Sequence, residues 1–88
     1  MNVTPEQREQ VRLSLLRYGL GFFTLGLAVS YLRSEGLGLD RDQMRMEIGY
    51  LEDKGFLKVM QKEISPENKL WATTASGRDY LAERGVES

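Results

Sequence analysis

The sequence predicts an α+β, mainly α fold: three helices, a β-hairpin and a closing helix. Three observations predict it. Met44, Ile48 and Leu51 repeat at helical spacing behind Asp40, and Lys54-Gly55 stops the run. Phe56-Leu57-Lys58-Val59 and Leu70-Trp71-Ala72-Thr73 are β-branched and aromatic, with Ser65-Pro66-Glu67-Asn68 supplying a turn between them. Thr74-Ala75-Ser76-Gly77 then opens a further helix carrying Tyr80 and Leu81.

The first helix starts at a clear signal. Thr4 suits the cap, Pro5 the first helical position, Glu6 the positive end of the dipole, and Gln7 the third position of a capping box. Val11, Leu15, Leu16 and Leu20 form its apolar stripe, with Arg8, Glu9 and Arg12 outside, and the helix ends near Gly19 or Gly21. Thr24 caps the second helix, whose buried face is Leu25, Ala28, Val29 and Leu32 at i, i+3, i+4 and i+7. Gly36 is placed just past its end, where a left-handed backbone costs glycine little. Glu35-Gly36-Leu37-Gly38-Leu39 is a short linker of the kind a helix-turn-helix needs. Asp40 caps the third helix with Gln43 three residues on. Its inner side is Met44, Ile48, Leu51 and, beyond Gly55, Phe56; its outer side shows Arg41, Asp42, Arg45, Met46 and Gly49. In the hairpin, Lys58 and Lys62 share a face by the two-residue period, and Lys69 lies beside the turn. Gly77 allows the closing helix to approach a neighbouring backbone. Met1 to Val3 and Gly85 to Ser88 are expected to fray.

Composition removes several functions. Eighty-eight residues suit one domain, 1–88, with a small core and little room for a catalytic cleft. Hydrophobic content of 41% beside 28% charge is that of a globular chain rather than a disordered one. Cys and His are both absent, so disulfides, thiol chemistry, thiolate or imidazole metal sites and the usual neutral-pH base are excluded. No enzyme, no metal and no cofactor is expected, and the lack of cysteine is compatible with a cytoplasmic setting. Leu13 to Leu32 is interrupted only by Arg17, but its uncharged part from Tyr18 is shorter than the roughly 17 to 25 residues a membrane crossing needs. Two buried helices joined at Gly19, Gly21 and Gly26 explain that run, and no membrane role is expected.

The run Tyr50-Leu51-Glu52-Asp53-Lys54-Gly55-Phe56-Leu57-Lys58-Val59 resembles the "L-E-x-x-G-L-V" passage from recognition helix to wing in the winged-helix superfamily. Leu70 to Asp79 resembles that superfamily's "L-T-x-x-G" entry to the last helix. The resemblance covers roughly Thr4 to Arg84. More narrowly, the chain resembles small winged-helix proteins of Mu-like prophages, in which a Trp-bearing strand leads into that entry. The resemblance implies a winged helix-turn-helix and a phage or prophage setting.

In such proteins the third helix enters the major groove and the ribbon touches the backbone. By position, Arg41, Gln43, Arg45 and Met46 would face bases, and Lys58, Lys62 and Lys69 would face phosphates of double-stranded DNA. Arg45 is the candidate for a bidentate contact to guanine. The charges argue the other way. Asp40 to Asp53 holds two arginines against Asp40, Asp42, Glu47, Glu52 and Asp53, a net of −3, and Lys54 to Lys69 holds four lysines against Glu63 and Glu67, a net of +2. With a pI near 5.4, the chain lacks the overall basic field that supplies non-specific affinity. In the plain alternative, Arg41 and Arg45 pair with nearby acids and the wing lysines keep an edge ribbon soluble. Trp71 is expected to pack against the closing helix and Tyr50 at the core's edge. A protein-interaction or structural module that keeps the fold without binding DNA is therefore the second reading. In either reading Tyr18, Phe22 and Phe23 exceed what a small domain easily buries and favour a homodimer.

Overall fold

The computed structural model describes residues 4–61 and 69–85. Its elements are α1 (Pro5–Tyr18), a 3-10 turn (Gly19–Gly21), α2 (Leu25–Ser34), α3 (Arg41–Asp53), β1 (Leu57–Gln61), β2 (Leu70–Thr73) and α4 (Ala75–Glu83). The expected turn at Ser65 to Asn68, Lys62, and the ends at 1–3 and 86–88 lie outside the described residues.

Local chemistry sets each helix start. The Thr4 hydroxyl accepts from the Gln7 N–H at 3.1 Å while the Gln7 side chain accepts from the Thr4 N–H at 3.0 Å. Asp40 and Gln43 repeat the reciprocal pair at α3, and Thr24 caps α2 through the Leu27 N–H. These bonds satisfy donors that have no partner inside their own helix. The ends of α2 and α3 also match each other. Gly36 and Gly55 take φ of +80° and +79°, and the next residue turns back: Leu37 N–H donates to Leu32 O at 2.8 Å and Phe56 N–H to Leu51 O at 2.9 Å. Both are Schellman closures, needing a left-handed residue that only glycine supplies cheaply.

β1 and β2 pair antiparallel, Leu57 opposite Thr73, Lys58 opposite Ala72 and Val59 opposite Trp71. A register shift between Val59 and Gln61 then breaks the two-residue period. The expectation that Lys58 and Lys62 share a face falls on Lys62, which lies outside the described residues. A third extended piece joins the ribbon. Phe23 exchanges both backbone hydrogen bonds with Trp71, at 3.1 and 2.9 Å, immediately before α2.

The core lies where α1 packs on α2, α3 and α4. Val11, Leu15 and Leu16 meet Leu25, Ala28 and Leu32 from α2 and Met44, Ile48 and Leu51 from α3; Leu57, Trp71 and Leu81 close it from the ribbon side. Trp71, expected against the closing helix, is buried, and the ring it stacks on is that of Phe23, 5.9 Å between centroids. Its indole Nε1 is buried without a hydrogen-bond partner among the described residues. The Thr73 hydroxyl donates to Leu16 O at 2.6 Å, satisfying a carbonyl in the last turn of α1. At α4 a Cβ on Gly77 would lie 2.5 Å from Phe56 O, so the close approach read from the sequence is real.

The expected pairing face of Tyr18, Phe22 and Phe23 is corrected by this packing. Phe23 is fully buried, and Tyr18 is half-buried, stacked on Tyr31 with 4.5 Å between centroids. Only Phe22 remains exposed, at 52%, on a backbone with φ of +80°.

Candidate nucleic-acid interface

α3 is fixed from beneath by a charge that a count along the sequence assigns to the surface. Glu47 falls at i+3 from Met44 and one residue before Ile48, inside the apolar stripe, and is 8% exposed. Arg12 of α1 donates to its Oε1 from Nε at 2.7 Å, and the Arg8 Nε lies 3.8 Å from Oε2. The Arg12 guanidinium also covers the Tyr50 ring, 3.8 Å from its centroid. Glu47 is therefore balanced within the fold, and the acids that α3 turns outward are Asp42, Glu52 and Asp53.

Two further carboxylates tie α1 to its neighbours. Glu35, at the end of α2, accepts from the Ser14 hydroxyl at 2.9 Å and from the Tyr18 hydroxyl, with Arg17 at 3.5 Å. That hydrogen bond, more than burial, raises the Tyr18 hydroxyl's pKa above its ordinary value. Glu9 accepts from the Tyr80 hydroxyl at 2.6 Å and pairs with Arg84 of α4 at 3.2 Å. Burial first, then the Glu9 bond, raises the Tyr80 hydroxyl's pKa.

The residues expected to meet DNA divide over two flanks of α3. Arg41 and Arg45, one turn apart, are exposed; the Arg41 guanidinium reaches within 3.7 Å of the place a Cβ on Gly26 of α2 would occupy. Gln43 and Met46 lie on the side towards α1. Together with Arg8, Val11, Leu39 and Glu47 they line a cavity of about 120 Å³. Met46 is 69% exposed, whereas Gln43 is half-buried and its side-chain oxygen accepts from the Asp40 N–H at 3.3 Å. Lys58 is exposed on the side of β1 opposite Leu57 and Val59, and Lys69 is half-buried just ahead of β2. Tyr50, expected at the core's edge, is exposed beneath Arg12 and Lys54.

Among the described residues, the ion pairs of this protein use Arg8, Arg12, Arg17 and Arg84, each with an acid that fixes α1 to another helix. Arg41, Arg45, Lys58 and Lys69 form none among those residues. Among the described residues, the pairing of Arg41 and Arg45 with nearby acids that the alternative reading expects is not seen. Arg33 and Arg78, elsewhere on the surface, are also without an ion pair among the described residues.

Helix, tight linker, helix, two-stranded ribbon and closing helix are the parts of one known architecture. A PadR-family transcriptional regulator from Eggerthella lenta superposes with a TM-score of 0.78 at 20% identity, over 91% of this chain and 72% of that one. Bacillus subtilis PadR, solved in complex with operator DNA, superposes with a TM-score of 0.67 at 21% identity, over 99% of this chain and 50% of that one. PadR regulators are winged-helix proteins. The fold is a winged helix. In that fold α3 is the helix that precedes the ribbon, and β1–β2 is the ribbon itself. The chain spans half the length of the Bacillus protein. No family model and no curated protein matches the sequence. Among the described residues no helix is long and apolar enough to cross a membrane.

Proposed function

We propose that this winged helix is a non-catalytic DNA-binding module of a transcriptional regulator, docking the first two turns of α3 in the major groove. The observation that carries the reading is the sorting of cations. Arginines on the α1 side are committed to acids that tie α1 to its neighbours, while the exposed Arg41, Arg45 and Lys58 and the half-buried Lys69 form no ion pair among the described residues. Holding Glu47 inside removes one acid from the face that would meet phosphates. In this reading Arg45 reads guanine, Arg41 supports it, Met46 and Gln43 lie on the groove's other wall, and Lys58, Lys62 and Lys69 hold the backbone. The fold of a neighbour solved on operator DNA supports the assignment. The 88 residues act as one such domain, at work in the cytoplasm. Two copies on one duplex would compensate for the modest charge of each.

The test is a salt titration of duplex binding. The logarithm of affinity is expected to fall linearly with the logarithm of salt concentration. Replacing Lys58 and Lys62 together should weaken binding to all sequences and flatten the slope by roughly 1 for each phosphate that a lysine had neutralised. Absence of salt-dependent binding, or a slope that ignores both lysines, overturns the reading.

A further inference from the structure

Gly49 is the unexplained residue of α3. It lies in the helix interior, where glycine is less favourable than alanine, and a Cβ there would meet nothing within 4 Å among the described residues. Neither backbone conformation nor internal packing accounts for it. Its place on the helix does suggest a reason. Gly49 follows Arg45 by four residues and Met46 by three, so it lies on the seam between the Arg41/Arg45 flank and the Gln43/Met46 flank.

We infer that Gly49 sets how deeply α3 enters the major groove, letting base edges come to the helix backbone so that both flanks touch at once. This rests on the DNA-binding reading above. A helix with its side chains is about 10–12 Å across and the major groove about 12 Å wide, so a side chain on the seam takes up the remaining clearance. Charge favours this occupant at this end. Ahead of Gly49, Arg41 and Arg45, which form no ion pair among the described residues, outnumber the exposed Asp42, while the exposed Glu52 and Asp53 follow it. The helix thus goes in by its amino-terminal half and leaves the groove beyond the glycine. Gly49 is a positioning residue, acting through the reach of Arg45.

Gly49→Ala and Gly49→Leu test this, because neither replaces a buried group. Gly49→Ala should raise Tm by about 4 °C and still weaken duplex binding. Gly49→Leu should weaken binding about tenfold or more, the worth of one good bidentate base contact. In the Gly49→Leu background, Arg45→Ala should lose much less affinity than in the unmodified chain, since the arginine no longer reaches its base. If the unmodified chain binds and both variants bind as well as it does, or if the Arg45 effect is the same in both backgrounds, the depth-setting role is overturned and the DNA-binding reading stands. If the unmodified chain shows no salt-dependent binding to duplex, both fall together. If binding to a protein, but not duplex, responds to Gly49, the occupant assigned here is wrong.

Discussion

α1 and α3 begin alike and are used differently. Each starts with a reciprocal cap ending in glutamine, and each buries three apolar side chains in the common core. Beyond that, α1 ties six polar side chains to neighbouring elements: Glu9 to α4, Arg8 and Arg12 to α3, Ser14, Arg17 and Tyr18 to the end of α2. α3 gives Glu47 and the Tyr50 ring to α1 and leaves Arg41, Arg45 and Met46 exposed. The lesson is a division of labour. Polar specificity holds α1 in place, so α3 can be anchored from one side and keep the other for a partner.

Paired substitutions can break or sharpen that contrast, and the largest effect lies within α3 itself. Met44→Ala opens the core and should lower the unfolding free energy by about 2–5 kcal/mol, whereas Met46→Ala two residues on should change it by no more than about 0.5 kcal/mol. Urea melts read both. Similar losses would mean that α3 has no free side.

Next comes the tie between the two helices. Glu47→Gln leaves Arg12 half-buried without its charge partner, and a loss of about 3 kcal/mol is expected, the lower end for a buried pair because Arg8 is half-exposed. An unchanged melt would reduce this contact to a surface pair worth about 0–1 kcal/mol.

The smallest effect is the alkaline limit of the α1 network. The hydroxyls of Tyr18 and Tyr80 are raised above 10 in the folded protein, by Glu35 and by burial with Glu9 respectively. A raised folded value favours the protonated form, so this contribution is complete below pH 10 and is lost as pH climbs through the folded value. Stability measured from pH 9 upward should therefore decline, and Tyr18→Phe with Tyr80→Phe should flatten the decline. A decline of equal steepness in the double variant would remove the two hydroxyls from the account.

The local parts of this structure were legible in the sequence. Thr4, Thr24, Asp40 and Thr74 cap the helices they announce, and the glycine stops at 36 and 55 stand at the helix ends they mark. Capping is chemistry within three or four residues, and the sequence displays it directly. The single Phe23–Trp71 bridge was not legible, because one bridged residue leaves no alternating pattern to read. Nor was the register shift between Val59 and Gln61, which interrupts the two-residue period of β1. Glu47 carries a signal that a charge count overlooks. It stands within the stripe of Met44, Ile48 and Leu51, and Arg8 and Arg12 stand four apart on α1, a spacing that presents both to one neighbour. Counted as a surface acid, it makes α3 look more hostile to phosphates than its outer side is. The two-flank arrangement of the candidate contacts depends on where α1 and α2 lie, which only the tertiary structure fixes.

The contrast between a helix that holds and a helix that presents is tested most directly by titrating labelled duplex with the Arg41→Ala/Arg45→Ala protein beside the unmodified chain. An affinity at least tenfold weaker, in a protein that melts within a few degrees of the original, is the predicted result. Equal affinity in the two proteins would contradict it.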